Sequence, residues 1–301
     1  MNRPPTLPRA LDAELRETTG RAGRLAYYVG GDGPPLLLIH SINAAASAYE
    51  VKPVYDRMRT LRRVYSVELP GYGHSDRSDR LYDIRLFTDA VHDMLDLIER
   101  ETGPQPVDAL ALSLSSEFLA RAAVEKPERL RSLAFVTPTG FSQGSTRAHG
   151  GLRTKQSREV PGVYKVVSFP LWAQGLYSLL TSKRSIRYFL ERTWGSKQID
   201  DRMVEYDYLT THQPGAKHAP FAFLSGRLFS RDIRDLYKQL TQPVWMPHGT
   251  RGDFKDFSGI DLVANRLNWT VQPFDAGALV HFEWPDEFVA SYRRFLDSTE
   301  R

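Results

Sequence analysis

The six residues Val107 to Leu112, V-D-A-L-A-L, run straight into Ser113-Leu114-Ser115-Ser116-Glu117 with no turn former between them. A strand buried on both faces reads as a continuous apolar run of this kind. The residues from Glu117 to Lys126 are predicted to form a helix that follows at once. A strand that feeds a helix directly belongs to a parallel sheet covered by helices, because parallel neighbours need a crossover connection. The other apolar runs agree. Leu25 to Val29 and Leu36 to His40 flank the turn G-G-D-G-P-P, and further strands are predicted at Arg63 to Leu69, Leu130 to Thr137, Pro243 to Pro247 and Trp269 to Phe274. Between them, Pro53 to Thr60, Phe87 to Arg100, Gly259 to Leu267 and Pro285 to Ser298 are predicted helices; in the second, Ala90, Val91, Met94, Leu95 and Ile98 recur at helical spacing.

From Phe141 to Thr241 the pattern changes to basic, aromatic, helix-like segments with no clear strand. The expected fold class is therefore α/β, a mainly parallel sheet flanked by helices with an inserted helical lid. The core would comprise residues 23–140 and 242–301, the lid 141–241, and a Pro- and Arg-rich N-terminal extension, 1–22, would pack loosely.

Composition narrows the function classes. At 301 residues, 41% hydrophobic and 25% charged, the chain can bury a sizeable core and has ordinary globular chemistry. It has no cysteine, which excludes disulfides, a thiol nucleophile and cysteine-bound metal. No apolar run is long enough to span a membrane, and the basic N-terminus is not followed by a signal-like apolar stretch, so a cytoplasmic location is the default expectation. The segment 141–241 carries 16 Lys/Arg against 8 Asp/Glu. Such an excess suits an anionic partner or an ordinary solvated face. No nucleic-acid motif accompanies it, and neither a metal cluster nor a nucleotide fingerprint is present, so no cofactor is expected.

The chemistry centres on Ala111-Leu112-Ser113-Leu114-Ser115, a small-x-Ser-x-small pattern at the strand–helix junction. Small flanks let a serine sit on a sharp turn with its Oγ clear of the sheet, facing the N–H groups that open the next helix. With it come His40-Ser41 at a strand end, the loop E-L-P-G-Y-G-H-S-D from Glu68 to Asp76, and Ala276-Gly277 followed by Phe282-Glu283. In this order the motifs resemble the α/β-hydrolase family, in particular its lidded serine hydrolases, over residues 25–140 and 240–298. The resemblance implies that Ser113 is the nucleophile and that the backbone N–H groups of Leu114 and Ile42 hold the oxyanion. Ser41 replaces the family's glycine beside Ile42, and Asn43 adds a candidate side-chain donor. Simple turn chemistry is the competing account of Ser41 and Asn43.

The remaining two members of a triad are less regular. The acid is expected after the strand that follows the lid, where Asp253 stands four residues beyond Gly249, one longer than the usual spacing; Asp256 is the alternative. The stretch D-A-G-A-L-V-H-F-E, Asp275 to Glu283, places Ala278 where the family carries its histidine base. His281, three residues on, is the candidate replacement, with packing beside Phe282 as the competing role. His248 is a second candidate base. The lid aromatics, among them Trp172, Tyr177, Tyr206 and Phe221, suggest an apolar pocket for a small hydrophobic substrate, or lid-to-core packing, or peripheral membrane contact through the basic lid. Three functions stay open at this point: hydrolysis of an ester or related acyl bond, another cofactor-free reaction such as a lyase step, and non-enzymatic ligand binding.

Overall fold

The computed structural model describes residues 5–142 and 157–299. The parts of the expected N-terminal extension and lid at 1–4 and 143–156, and the last two residues, lie outside them. One eight-stranded sheet organises the chain in the order β1-β2-β4-β3-β5-β6-β7-β8. The strands are β1 (Glu14–Gly20), β2 (Gly23–Gly30), β3 (Pro35–Ile39), β4 (Arg63–Val67), β5 (Val107–Leu112), β6 (Leu130–Val136), β7 (Val244–Gly249) and β8 (Trp269–Phe274). From β4 to β8 neighbours are parallel, while β1 and β2 pair antiparallel at one edge.

Each apolar run of the sequence became a strand for the reason anticipated: β3, β5 and β7 are buried at every position. The N-terminal extension departs from expectation. Instead of packing loosely, its second half forms β1, which pairs with β2 along its whole length from Glu14–Val29 to Gly20–Gly23. Ala10 and Leu11 ahead of it are buried. The segment was unreadable as a strand because an edge strand with one solvated face keeps charged residues, here Glu14, Arg16 and Glu17.

Helices cover both faces. On one, α1 (Lys52–Met58) and the C-terminal helix (Pro285–Thr299) bury Tyr55, Met58, Phe288 and Tyr292 against the sheet. On the other, α2 (Ile84–Thr102) and α3 (Ser115–Glu125) meet through the stacked rings of Phe87 and Phe118, 5.0 Å apart. Between β6 and β7 the described chain is helical: α4 (Val163–Val167), α5 (Ala173–Leu180), α6 (Lys183–Trp194), α7 (Asp201–Thr211), α8 (His218–Leu224) and α9 (Ile233–Gln239). Beyond β7 come α10 (Asp261–Ala264), α11 (Val280–Glu283) and the C-terminal helix, α12.

Sheet topology decides where a site can form. The chain leaves β3 outward to β4 and returns to β5 on the other side, so the order reverses between β3 and β5. In parallel sheets the crevice at the carboxyl ends of such strands holds the ligand. Here it lies between the loop after Ile39 and the turn after Leu112.

Candidate active site

Ser113 occupies that crevice. Its φ is +50°, a left-handed conformation that a residue with a Cβ adopts at a cost of order 1–3 kcal/mol and keeps only where its surroundings enforce it. The enforcement is visible. The Ser113 N–H donates to Val136 O at 2.9 Å, which ties the turn to β6. Ser115 Oγ donates to His40 O at 2.6 Å, which ties it to the loop after β3. Ala111 and Ser115 are fully buried, so bulk at either flank has nowhere to go. Ser113 itself is half-buried.

Two backbone donors face no acceptor. Among the described residues, neither the N–H of Leu114 nor that of Ile42 enters a hydrogen bond, although both residues are buried. A buried N–H without a partner is rare in a folded chain. Register places them close: Ile39 pairs with Ala111, and the two N–H groups follow three residues after each. An anion above Ser113 would satisfy both.

The loop carrying Ile42 is fixed from below by Glu50, in a short 3-10 turn at Ala48–Val51. The Glu50 carboxylate accepts from Ser41 N at 2.8 Å, Ser41 Oγ at 3.0 Å and Asn43 Nδ2 at 2.8 Å. Ser41, in the glycine position, thus serves as a donor to Glu50. The Asn43 amide is spent on Glu50 and on Ser41 Oγ, and its Oδ1 accepts from Ala45 N, so its side chain is directed into the loop instead of toward an oxyanion. Burial pushes the Glu50 carboxyl upward, and its three donors oppose that shift. From above, Tyr177 of the lid donates to Ala44 O, and Tyr72 donates to Asn43 O at 3.0 Å. Asp207 of α7 is buried nearby, with its Oδ1 unpartnered; burial, then the Glu50 carboxylate, pushes its carboxyl well above the usual range.

His40 and Glu68 brace the same layer. Leu69 N–H donates to His40 Nε2, which leaves the proton on Nδ1, 2.7 Å from Ser41 O. Burial lowers this imidazole to about 4 and raises Glu68 to about 7. The P-G-Y-G loop wraps the Glu68 carboxylate so closely that a Cβ on Gly73, at φ +48°, would collide with it.

The expected acid and base are held elsewhere. His281 is fully buried between Phe282 and Phe288, and its Nε2–H donates to Glu50 O at 2.6 Å while Nδ1 has no partner. Burial lowers its pKa to about 4, so the ring is neutral near pH 7. Asp253 is 42% exposed, and both its carboxylate oxygens bind Arg192 of α6, at 2.5 and 2.9 Å. Ser113, His281 and Asp253 are not joined by any hydrogen bond. Asp256 caps Ser258 N in an exposed loop. His248 is buried, with its ring 4.2 Å from that of Phe257 and Nδ1 on Gly249 O.

A backbone seam stands where the acid and base would project. The last turn of α6 enters the notch between the loops after β7 and β8. Asp253 N–H donates to Arg192 O at 3.0 Å and Ala278 N–H to Thr193 O at 2.9 Å. The Ala278 carbonyl accepts from Thr137 Oγ1 at 2.8 Å, so both polar backbone groups of position 278 are engaged. A Cβ on Gly277 would lie 2.4 Å from Trp194 Cα, and one on Gly252, at φ +78°, 2.6 Å from Arg192 O. No signal in the sequence pointed to this seam, which depends on contacts between distant segments, or to Glu50, whose partners Ser41 and Asn43 lie nine and seven residues back with no motif to mark them.

The lid aromatics divide between inside and outside. Tyr177 and Phe221 form a small apolar cluster with Ala173 and Ala216 that packs the segment between β6 and β7 on itself, whereas Tyr206 stacks on Tyr49 at 5.3 Å and joins that segment to the core. Phe169, Trp172, Tyr188 and Phe189 are exposed. Two surface clefts, of about 470 and 480 Å³, lie beside Gly73–Ser78 and beside Trp194–Asp200; Ser113 lines neither. No group of three or more His, Asp or Glu among the described residues is arranged to hold a metal ion, and none of their helices is long and apolar enough to cross a membrane.

Known proteins place this architecture. The family model for the alpha/beta hydrolase fold matches residues 34–191, more than half of the chain. The matched span ends before the loops that would carry acid and base. An uncharacterized protein of Mycobacterium tuberculosis is 22% identical over 162 residues, 54% of this chain but only 41% of that protein. Among solved structures, a serine hydrolase involved in carbazole degradation superposes with a TM-score of 0.73 at 15% identity, covering 95% of this chain and 99% of that one. A probable hydrolytic enzyme of Pseudomonas aeruginosa PAO1 gives 0.73 at 17% identity, covering 96% of each chain. The carboxylesterase CesB of Bacillus subtilis gives 0.68 at 17% identity over 95% of this chain and 92% of its own.

Proposed function

This chain belongs to the α/β-hydrolase fold family, and we propose that within it Ser113 attacks the carbonyl of an ester or related acyl bond in a hydrophobic substrate. The observation that carries this reading is the pairing of a strained Ser113, at φ +50°, with two buried N–H groups, of Ile42 and Leu114, that no described residue accepts from. Strain and unpaired donors both cost stability, and a site that develops an oxyanion is where both are repaid. Oγ forms the bond to the acyl carbon, the ester C–O bond breaks, and the hydroxyl proton leaves with the departing alcohol through water.

Without an imidazole at position 278, that proton has no internal acceptor. Oxyanion stabilisation and binding alone give roughly 10³–10⁴-fold acceleration over water when a triad is removed. The substrates within reach are therefore esters with good leaving groups, and deacylation is the slow step. His281 supports the reaction as a positioning residue, through Glu50 and the loop of Ile42.

A p-nitrophenyl ester of a medium-chain acid tests this. Release of about one p-nitrophenol per chain, then a slow steady phase, is the expected trace; Ser113→Ala should abolish the burst. A burst that survives in Ser113→Ala would refute the assignment. A second reading, a fold member without hydrolysis, is favoured by the seam at Thr193 and Ala278; it would be a lyase, another cofactor-free catalyst or a ligand-binding protein. Folded wild-type chain that shows no burst supports that reading instead.

A further inference from the structure

We propose that the outward face of the lid, built by α5 and the turn before it, docks on an anionic lipid surface. This goes beyond the chemistry at Ser113 and does not depend on it. The helix α5, A-Q-G-L-Y-S-L-L, is apolar over a broad arc that reaches from its buried side to its exposed one. Ala173 and Tyr177 face inward, where Tyr177 meets Phe221 and holds Ala44 O. Trp172, Leu176 and Leu179 recur at the spacing of one stripe beside that buried one; Leu176 is half-buried and Leu179 is 70% exposed. Gln174 and Ser178 are the polar residues of the helix and lie on its remaining side. A helix on a globular surface normally turns a polar face outward; here that face is reduced to Gln174 and Ser178, with exposed Trp172 and Leu179 beside it.

The turn before α5 extends the patch. Phe169 and Trp172 pack ring to ring at 4.6 Å, and the Trp172 indole N–H donates to Val166 O at 2.9 Å, so Val166, Phe169 and Trp172 form one surface. Leu171 stands at its tip, 83% exposed. Contiguous exposed apolar surface of this kind marks a place where something docks.

Charge identifies the occupant. From Val160 to Leu190 the sequence has four basic residues, Lys165, Lys183, Arg184 and Arg187, and no Asp or Glu. Lys183 and Arg187 pair with Glu205 and Asp201 of α7, whereas Lys165 and Arg184 make no ion pair with a described residue. A second copy of the chain would set these cations against their own kind across a two-fold axis. An anionic bilayer accepts them, at about 1 kcal/mol for each Lys or Arg near the surface, while the Trp and Leu side chains enter the headgroup boundary.

Flotation of the full chain with lipid vesicles tests the proposal. Binding is expected to vesicles of phosphatidylglycerol and phosphatidylcholine, not to phosphatidylcholine alone, and to weaken as salt rises from about 0.05 to 0.5 M. The pair Leu171→Asp and Leu179→Asp should weaken binding about tenfold or more with the thermal midpoint unchanged, since both side chains are exposed. The pair Lys165→Glu and Arg184→Glu should do the same. Wild-type chain that binds neither vesicle overturns the proposal, as does binding that both pairs leave unchanged. So does a dimer in sedimentation equilibrium that Leu171→Asp dissociates, since it assigns the patch to a second copy.

Discussion

The imidazole of His281 donates to the carbonyl oxygen of Glu50 at 2.6 Å, and the carboxylate of that same Glu50 holds the loop that presents Ile42. The one histidine after β8 is therefore wired to the loop of Ile42 instead of to Ser113, and any influence it has on that site passes through backbone position.

Replacing Glu50 tests that wiring. Glu50→Gln keeps the shape but substitutes an amide for a carboxylate that accepts three hydrogen bonds, two of them from Ser41. A buried donor left without its acceptor costs about 1–3 kcal/mol. Lower stability in denaturant melts and a smaller p-nitrophenol burst should appear together. An unchanged burst in the folded variant would remove Glu50 from the positioning role.

His281 carries a pH signature. Its folded pKa of about 4 lies below the ordinary 6.5, so the unfolded chain binds its proton first as pH falls. The stability it contributes is complete above pH 6.5 and is lost as pH falls toward 4, an effect of order 3 kcal/mol. His281→Phe should lose less stability than wild type across that window in urea titrations. Parallel pH profiles for the two would contradict a buried neutral ring.

Glu68 should behave in the opposite sense. Burial raises its carboxyl to about 7 from 4.5, so its stabilising protonated form is complete below pH 4.5 and fades as pH rises through 7. Relative to wild type, Glu68→Gln should gain about 3 kcal/mol over that rise. Equal slopes for the two proteins would show that Glu68 is ionised throughout.

The seam at position 278 predicts what grafting a base achieves. Ala278→His places an imidazole beside the last turn of α6, but Asp253 stays bound to Arg192 and Gly252 offers no carboxylate. A triad histidine without its orienting acid loses about 10⁴ in rate. Turnover of the activated ester should rise less than about tenfold. A rise of a thousandfold would mean that an acid is in reach after all.

Most of the sheet was legible because a strand buried on both faces has to be apolar along its length; Leu36 to Ile39 and Val107 to Leu112 show it. The elbow was legible for a similar local reason, since a serine at φ +50° needs small flanks at 111 and 115. That position 278 offers no proton-transferring group was also plain, because its side chain is a methyl. What stayed hidden depends on partners far along the chain. Asp253 stands almost where an acid belongs, yet Arg192, 61 positions earlier, takes both its oxygens. His281 is a histidine near the right place, and only the carbonyl of Glu50, 231 positions away, decides which way it turns.

Fluorophosphonate labelling followed by mass spectrometry of the digested chain measures the reactivity of Ser113 directly. A single adduct on Ser113 is expected, forming slowly, absent in Ser113→Ala, and still forming in His281→Gln, whose amide can donate to Glu50 O as the imidazole does. Folded wild-type protein that takes no adduct, or an adduct lost in His281→Gln with the fold intact, would contradict a serine activated by strain and oxyanion donors without a histidine base.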